Sequence, residues 1–287
     1  MAGAGWIVTP DNLVLARTEF GAGRALTLGF VDDLNARRAA SFGYVATAYA
    51  QHRPDYPDEA VAWALASPPD GAAIVLDLAA GTGKLTEAML RSGVPAAAVL
   101  AVEPDDDMRA ELSRRLPDIA VRGGSAERIP VEDRALDAVL VGQAFHWFDP
   151  DRALPEIARV LRPGGVLATI GNIEDDSVAW VAELSQATRA ARSIGSVGRG
   201  FADVPEHPAF GERERRRFIW RWPRTIDSLL ETVSTHSWAL VSGPQERAAA
   251  LASIRRFLQQ HPATRDSRFE LPMQTLVLRT TRRAWPT

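Results

Sequence analysis

The chain has 287 residues, no cysteine and a formal net charge of −3 at pH 7. That length allows one large domain, or a core domain with added segments, and can bury a substantial core. Without cysteine the chain has no disulfide, no thiolate nucleophile and no cysteine-ligated metal site. The small negative charge gives no general electrostatic reason to bind nucleic acid or an anionic membrane, so we expect neither as a partner.

The first residues do not read as a signal peptide, because Asp11, Arg17 and Glu19 interrupt the apolar sequence. No stretch of about 18 or more apolar residues occurs elsewhere, which predicts that no transmembrane helix is present. We therefore expect a cytoplasmic protein.

From about residue 73 onward, short apolar runs alternate with amphipathic stretches, the pattern of a parallel sheet covered by helices. The predicted strands are 72–78, 97–103, 119–124, 136–141 and 166–171, with helices at 83–93, 104–117 and 149–161. The pattern then predicts a helix over 176–195, a strand over 216–222, a helix over 244–260 and a final strand over 271–281. This order indicates a doubly wound α/β sheet that ends in a hairpin-like pair of strands.

We divide the chain into two parts on this pattern. Residues 1–40 are interpreted as an N-terminal extension, a candidate flexible segment, and residues 41–287 as a single domain. The cofactor-binding core of that domain covers about residues 70–172, and its C-terminal part completes the sheet and the substrate pocket. Residues 195–210 lack sustained periodicity and contain several glycines and prolines, which predicts a loop or insert.

The first predicted strand runs into DLAAGTG, with Asp77 at its carboxyl end and Gly81 and Gly83 in the turn that follows. Glycine lets the backbone approach a ligand closely, and doubly wound sheets bind ligands at this edge, so a nucleotide is the leading ligand. The dinucleotide fingerprint needs glycine three residues after Gly83, where this chain has Thr86, which makes NAD the weaker interpretation. Glu103 ends the second predicted strand, where a carboxylate can accept hydrogen bonds from both ribose hydroxyls of a nucleoside.

Four segments, in order and at suitable spacing, resemble motifs of the class I S-adenosylmethionine-dependent methyltransferases of the small-molecule, type 11 methyltransferase-domain family. They are VLDLAAGTGKLT, AVEPDDDM, GGSAERIPVEDRALDAV and VGQAFHWFD, and the resemblance covers about residues 40–172. It implies an α/β fold with a doubly wound, Rossmann-like sheet of seven strands, the last one antiparallel, and an N-terminal helical cap. It also implies S-adenosylmethionine as the cofactor and a small-molecule substrate.

The same resemblance implies a set of cofactor-binding residues. Those expected at the methionine part are Asp77, Ala79, Gly81, Gly83 and Gln143; those expected at the ribose and adenine are Glu103, Pro104, Met108, Ser125, Ala126 and Glu127. Ala79 departs from the family pattern, in which many members have glycine, and alanine fits there if its backbone dihedrals are ordinary. The alternatives are a capping or surface role for Asp77 and Glu103 and ordinary core packing for Met108.

The segment GQAFHWFDP, residues 142–150, follows the fourth predicted strand at the edge where the transferred methyl group should point. His146 is the candidate catalytic residue, because its unperturbed pKa of about 6.5 suits a general base near neutral pH. The alternative is that His146 orients the cofactor or braces the loop, since proteins of this family commonly carry the HWF sequence.

Upstream, Tyr49 and Arg53 are four positions apart, so a helix would place both on one face. In similar proteins a helix in this region closes over the cofactor, which makes Tyr49 and Arg53 candidates for binding the methionine carboxylate. The alternative is a lid helix that packs through its aromatic side chains.

Two weaker signals bear on function. The five histidines show no metal-ligand spacing, so we predict no metal site. Residues 211–224 combine arginines with aromatic residues, which could suggest RNA stacking, but the alternation of Phe218, Trp220 and Trp222 favours the buried face of a strand.

We therefore predict an enzyme that transfers a methyl group from S-adenosylmethionine to a small organic molecule by in-line displacement. The substrate pocket is expected between the N-terminal cap, the loop after Val141 and the insert near 195–210, with Trp180 as a lining candidate. Two alternatives stay open: a protein of the same fold that binds the cofactor without methyl transfer or in a regulatory role, and, with less support, an NAD-dependent oxidoreductase.

Overall fold

The structure is a computed structural model that describes residues 6–8, 14–16, 52–65, 73–190, 203–236, 238–239, 242–266 and 268–284. The chain divides into two units, Met1–Arg37 and Arg38–Thr287. In the first unit, β1 (Trp6–Val8) and β2 (Val14–Ala16) pair antiparallel, which the sequence analysis does not predict. Apart from β1 and β2, residues 1–40 lie outside the described residues, so the expected flexibility of this extension stays a prediction. Within the described ranges, no helix is long and apolar enough to cross a membrane.

The second unit contains the seven predicted strands in the predicted order. Its strands are β3 (Val75–Leu78), β4 (Val99–Glu103), β5 (Ala120–Gly123), β6 (Leu136–Gly142), β7 (Leu161–Glu174), β8 (Glu214–Arg224) and β9 (Phe269–Thr281). Its described helices are α1 (Asp58–Leu65), α2 (Lys84–Arg91), α3 (Asp106–Arg115), α4 (Pro150–Val160), α5 (Ala179–Ala190), α6 (Ile226–Ser234) and α7 (Pro244–Gln260). Short 3-10 turns cover Ala96–Ala98 and Phe145–Trp147.

Strands β3 to β9 form one sheet in the order β5-β4-β3-β6-β7-β9-β8. The five strands β3 to β7 run parallel, whereas β9 is antiparallel to both β7 and β8. The predicted seven-stranded, doubly wound sheet with an antiparallel last strand is therefore confirmed. Because β4 and β6 lie on opposite sides of β3, the chain changes direction of winding there, and ligands of such sheets bind at this switch point.

Helices pack on both faces of the sheet. The buried residues of α1 and α2 pack against one face, and those of α4 pack against the other. This explains why β3 and β6 are nearly continuous apolar runs rather than alternating ones, since both faces of a parallel strand are covered.

Helices α5, α6 and α7 form a third cluster with the ends of β8 and β9. Glu174, the last residue of β7, pairs with Met273, so the residues of β9 before Met273 project beyond the end of β7. Trp180 packs in this cluster, with its ring edge-on to Phe269 at a centroid distance of 6.0 Å. The projecting strands and their helices thus stand at the carboxyl edge of the sheet, beside the switch point.

Helix α6 has no counterpart among the predicted elements. Its start is fixed by a reciprocal capping box: Ser228 N donates to Thr225 Oγ1 (3.1 Å), and Thr225 N donates to Ser228 Oγ (2.9 Å). The usual sequence signal has glutamate or glutamine at the position of Ser228, so this cap is harder to read from the sequence.

The alternation predicted for β8 is confirmed. Phe218 is buried and Trp220 and Trp222 are half-buried, whereas Ile219 on the opposite face is 58% exposed. The tryptophans are thereby accounted for by packing on one face of an edge strand.

The described part of the predicted insert, residues 203–210, does not line the expected pocket. Phe210 bridges to Arg282, and Gly164 N donates to the Arg282 carbonyl (2.9 Å) at the amino end of β7. The loop after Val141 lies at the other end of the strands. That part of the prediction is wrong because this loop leads into β8, whose first residue, Glu214, pairs with Arg279 near the end of β9 at the amino edge. Loop composition does not reveal this.

Candidate cofactor site

The turn after β3 contains three residues with positive φ, at the switch point of the sheet: Ala79 (57°), Gly81 (55°) and Gly83 (87°). A Cβ atom on Gly81 would meet no described atom within 4 Å, so open space for a ligand lies beside it. A Cβ atom on Gly83 would instead lie 3.0 Å from Leu112 Cγ of α3. Gly81 therefore leaves room for a ligand, whereas Gly83 allows close packing of the turn against α3.

Ala79 does not have the ordinary backbone that an alanine requires at this position. Its φ of 57° lies in the left-handed region, where the Cβ of an L-residue crowds the following carbonyl at a cost of roughly 1–2 kcal/mol. The neighbouring Ala80 N donates to the Val102 carbonyl (3.1 Å), which ties the strained turn to β4. The condition for tolerating alanine is thus not met, and Ala79 stores strain at a turn that faces the candidate site.

Glu103, at the end of β4, is 7% exposed and holds the turn in place. Its Oε2 accepts a hydrogen bond from Gly81 N (2.9 Å), and its Oε1 accepts one from Asp105 N (3.0 Å). Burial raises the pKa of Glu103. A carboxylate has about four acceptor positions, so two remain for a ligand, which matches the two hydroxyls of a ribose.

Asp77, on β3, is fully buried and only partly hydrogen-bonded. Thr86 Oγ1 donates to its Oδ2 (2.6 Å), whereas no described residue donates to its buried Oδ1. Burial, with a smaller contribution from the charge of Glu103, raises the pKa of Asp77 to about 7. A buried acceptor without a donor calls for a ligand group that donates, and an ammonium group fits best.

The predicted adenine-binding residues surround the start of α3 and the turn after β5. Met108 is 3% exposed, and its N donates to Asp105 Oδ1 (2.9 Å), which caps α3. Pro104 is exposed and precedes this cap. The buried Met108 beside an exposed Pro104 is compatible both with an adenine contact and with core packing, so its role stays a prediction.

Residues 125–127 form a tight turn after β5. Ser125 N donates to the Arg128 carbonyl (3.4 Å), and Ala126 is 3% exposed. Glu127 Oε1 accepts a hydrogen bond from Asp149 N (3.1 Å). Glu127 thereby connects this turn to the segment after β6, a link that the sequence analysis does not contain.

The segment after β6 begins in a strained conformation. Gln143 has φ 54°, and its N donates to the Ile170 carbonyl of β7 (2.8 Å). This hydrogen bond places Gln143 at the carboxyl ends of β6 and β7, where the methyl end of the cofactor is expected.

His146 lies in the 3-10 turn Phe145–Trp147, with its ring centroid 4.4 Å from that of Trp147. Burial lowers the pKa of His146 to about 4. At that pKa His146 is neutral but a weak proton acceptor near pH 7, which favours the bracing role over general base catalysis. Trp147 and Phe148 pack against the buried cluster on the α4 face, in agreement with a structural role for both.

Arg53 and Tyr49 cannot be compared as a pair, because Tyr49 lies outside the described residues. Arg53 Nη2 donates to the Thr235 carbonyl (3.0 Å), just past the end of α6. This hydrogen bond connects the chain before α1 to the C-terminal helices. A contact of Arg53 with a cofactor carboxylate stays a prediction.

Sequence reasoning gave no specific role to three residues near this site. Thr86 entered only as the absence of a glycine, yet it is the donor to Asp77. Tyr56 is 6% exposed and approaches Gly142 at the end of β6. Asn172 Nδ2, from β7, donates to the Asp55 carbonyl (3.1 Å). The last two depend on contacts between distant segments, for which the local sequence carries no signal.

A cavity of about 700 Å³ lies elsewhere, at the amino edge of the sheet, and is lined by residues 204–208, 210–213, 215, 280 and 283. Because this cavity and the glycine turn lie at opposite ends of the strands, the cavity is not part of the candidate cofactor site. Within the described part of the chain, no group of three or more His, Cys, Asp or Glu side chains is arranged to hold a metal ion.

Comparisons with known proteins agree with this geometry. The sequence model of a family described as "Methyltransferase domain" matches residues 76–169, from β3 into β7. An uncharacterized methyltransferase of Mycobacterium tuberculosis (strain H37Rv) is 40% identical over 243 residues, which cover 84% of this chain and 95% of that protein. An uncharacterized methyltransferase of Schizosaccharomyces pombe is 41% identical over 145 residues, 50% of this chain and 57% of that protein.

Among solved structures, one from Anaeromyxobacter dehalogenans, described as a "Putative Type II Methyltransferase", aligns with a TM-score of 0.61 and 25% identity. The alignment covers 80% of this chain and 97% of that one. The relative from Mycobacterium tuberculosis spans most of both chains, and the sheet order is the one predicted from the motifs. The chain therefore belongs to the methyltransferase-domain family, and its fold is that of the class I S-adenosylmethionine-dependent methyltransferases.

Proposed function

We propose that this methyltransferase uses S-adenosylmethionine and transfers its methyl group to a small organic molecule. The observation that carries the proposal is the pair of buried carboxyl groups on adjacent strands. Asp77 has an acceptor oxygen without a described donor, and Glu103 has acceptor positions to spare. An adenosine that bears an amino acid and no phosphate presents an ammonium group and two ribose hydroxyls, which is the matching set of donors.

The proposed contacts follow from these positions. Glu103 accepts hydrogen bonds from the ribose hydroxyls, and Asp77 accepts one from the amino group of the methionine part. The space beside Gly81 admits the ligand backbone, since no described atom fills it. Pro104, Met108, Ser125, Ala126 and Glu127 are proposed for the adenine, and Ala79, Gly83 and Gln143 for the methionine part.

S-Adenosylmethionine supplies, when bound, a methyl group on a sulfonium that is already activated for displacement. The protein therefore needs mainly to align the acceptor for in-line attack and to exclude water. The segment after β6 is proposed to do this, with Gln143 at the strand end and the 3-10 turn behind it.

The low pKa of His146 bears on the acceptor. A general base is needed only if the acceptor must lose a proton before it reacts. A residue with a pKa of about 4 is a weak base near neutrality, so we expect that His146 is not the group that removes a proton from the acceptor. The identity of the acceptor, and location in the cytoplasm, stay predictions.

The proposal is tested by incubating the protein with methyl-labelled S-adenosylmethionine and panels of carboxylates, amines, phenols and thiols. The expected result is formation of S-adenosylhomocysteine that depends on both protein and acceptor, with label in the acceptor. Cofactor binding without turnover on any panel would favour the alternative of a binding or regulatory protein. Turnover of a nicotinamide cofactor would favour the oxidoreductase. The sequence argues against that outcome, because Thr86 occupies the position of the third glycine of the dinucleotide fingerprint.

A further inference from the structure

The end of α3 packs against one side of the glycine turn. A Cβ atom on Gly83 would lie 3.0 Å from Leu112 Cγ and 3.1 Å from Leu116 Cδ1, whereas one on Gly81 would meet no described atom within 4 Å. Gly83 therefore faces the end of α3, and Gly81 faces the space proposed for the cofactor. Residues at the end of α3 can thus contact the turn without entering that space.

Arg115, the last residue of α3, makes such a contact. Its Nη1 donates to the Thr82 carbonyl (2.6 Å), and its Nη2 donates to Glu87 Oε2 (2.6 Å) in the first turn of α2. The side chain of Arg115 is 17% exposed and that of Glu87 is 34% exposed, so the pair is partly shielded from water. One planar guanidinium thereby connects α3, the glycine turn and α2 through two separate acceptors.

Thr82 lies between the two glycines of the turn, both of which have positive φ. Glycine restricts its dihedral angles less than any other residue, so contacts from outside the turn are needed to hold one conformation. Charged side chains supply two of them: Glu103 Oε2 accepts from Gly81 N (2.9 Å), and Arg115 donates to the Thr82 carbonyl. The first contact fixes the peptide group before Gly81, and the second fixes the peptide group after Thr82.

We propose that Arg115 is a positioning residue for cofactor binding, which holds the Thr82 carbonyl and so keeps the glycine turn in the conformation that leaves space beside Gly81. This inference rests on the proposed function. Arg115 acts through the backbone of the turn, and Glu87 acts one step further away by orienting the guanidinium. A turn that is held in advance loses less conformational freedom when the ligand binds, which raises the affinity.

The test is calorimetric titration of the full-length protein with S-adenosylhomocysteine, together with chemical unfolding of the same variants. Arg115→Gln should weaken binding about 10-fold or more, the factor that corresponds to a hydrogen bond from a charged group. Arg115→Lys should show a smaller loss, because lysine keeps the charge but lacks the planar fork that satisfies both acceptors.

Arg114→Gln is the matched control. It makes the same change in charge one residue away, at a side chain that is 68% exposed and pairs with Glu111 within α3. Because an exposed ion pair contributes little, this variant should bind S-adenosylhomocysteine as the unmodified protein does.

A double-mutant cycle tests the contribution of Glu87. Glu87→Gln alone should weaken binding by less than Arg115→Gln, because the contact with Thr82 stays possible. Combined with Arg115→Gln it should cause no further loss, since a residue that acts through Arg115 has no effect in its absence. Additive losses would contradict this order of action.

The outcomes separate the inference from the proposed function. If the unmodified protein does not bind S-adenosylhomocysteine, the proposed function is contradicted. If it binds and Arg115→Gln lowers only the free energy of unfolding, Arg115 joins the helices without positioning the cofactor, and the inference is contradicted. An equal loss of affinity in Arg114→Gln would also contradict it, since net charge would then be the cause. Should Arg115→Gln not fold, unchanged affinity in both Arg115→Lys and Glu87→Gln would contradict the inference.

Discussion

Asp77 lies fully buried near the end of β3, with one oxygen accepting a hydrogen bond from Thr86 and the other without a described donor. Burial is the main cause that raises its pKa to about 7, against about 3.9 in an unfolded chain. A carboxyl group whose pKa is raised on folding makes the protein less stable as pH rises from the unfolded to the folded pKa. Above pH 7 the ligand-free protein therefore contains a buried negative charge, which the hydrogen bond from Thr86 compensates in part.

We predict that Asp77→Asn stabilises the ligand-free protein at pH 8 and abolishes tight cofactor binding. The free energy of unfolding should rise by about 1 kcal/mol or more at pH 8, because each unit of pKa shift corresponds to about 1.4 kcal/mol. Near pH 4, where Asp77 is neutral in the folded protein, the difference between variant and parent should disappear. Urea unfolding across this pH range measures both, and a variant less stable than the parent at pH 8 would contradict the assignment.

Ala79 provides a second prediction for a single residue. Its φ of 57° costs an alanine more than a glycine, although glycine has greater conformational freedom in the unfolded chain. Ala79→Gly should therefore raise the free energy of unfolding by roughly 0.5–1 kcal/mol. Ala80→Gly is the matched control, since Ala80 is not among the residues with positive φ, and it should lower stability. Equal losses in both variants would show that the turn is not strained at Ala79.

For His146 the lowered pKa predicts the shape of the pH profile. A base acts in its deprotonated form, and with a pKa of about 4 His146 is already deprotonated from pH 5 upward. Once an acceptor is known, the pH profile of kcat/KM should contain no titration by His146 between pH 5 and 8. His146→Gln should therefore leave the shape of this profile unchanged. A limb near pH 6.5 that disappears in this variant would restore His146 as the general base.

At the scale of elements, the glycine turn leaves space for a ligand at Gly81 and packs against α3 at Gly83, and the two functions can be measured separately. Gly81 and Gly83 both have positive φ, but only a side chain at Gly83 would collide with α3, at 3.0 Å from Leu112 Cγ. Gly83→Ala should cost at least about 1 kcal/mol more stability than Gly81→Ala, by overpacking between the turn and α3. Gly81→Ala should instead weaken cofactor binding, because its methyl group enters the open space. Chemical unfolding and titration of both variants test this, and the reverse order would contradict it.

At the same scale, periodicity predicted most elements, because apolar runs in buried strands and capping signals in helices are local. The carboxylates at the ends of β3 and β4 were also predictable, since strand ends of a parallel sheet meet at one edge. The contacts of Tyr56 and Asn172 were not, because they join segments far apart in sequence. Helix α6 was missed because its serine and threonine cap is a weak signal, and residues 203–210 were misplaced because loop composition does not show which edge a loop reaches.

At the scale of the whole molecule, the carboxyl edge and the amino edge of the seven-stranded sheet have different properties. The carboxyl edge contains the glycine turn, the buried carboxyl groups and the segment after β6. The amino edge contains a cavity of about 700 Å³ that lies apart from them. This cavity is thus not the proposed site, which the buried polar groups at the carboxyl edge locate instead.

The most direct test of the account is calorimetric titration of the purified protein with S-adenosylhomocysteine, S-adenosylmethionine and NAD. The account predicts that the first two bind and that NAD does not, because Glu103 and Asp77 match a ribose and an ammonium group while the turn lacks the third glycine. Binding of NAD in preference to the other two, or binding of none of them, would contradict it.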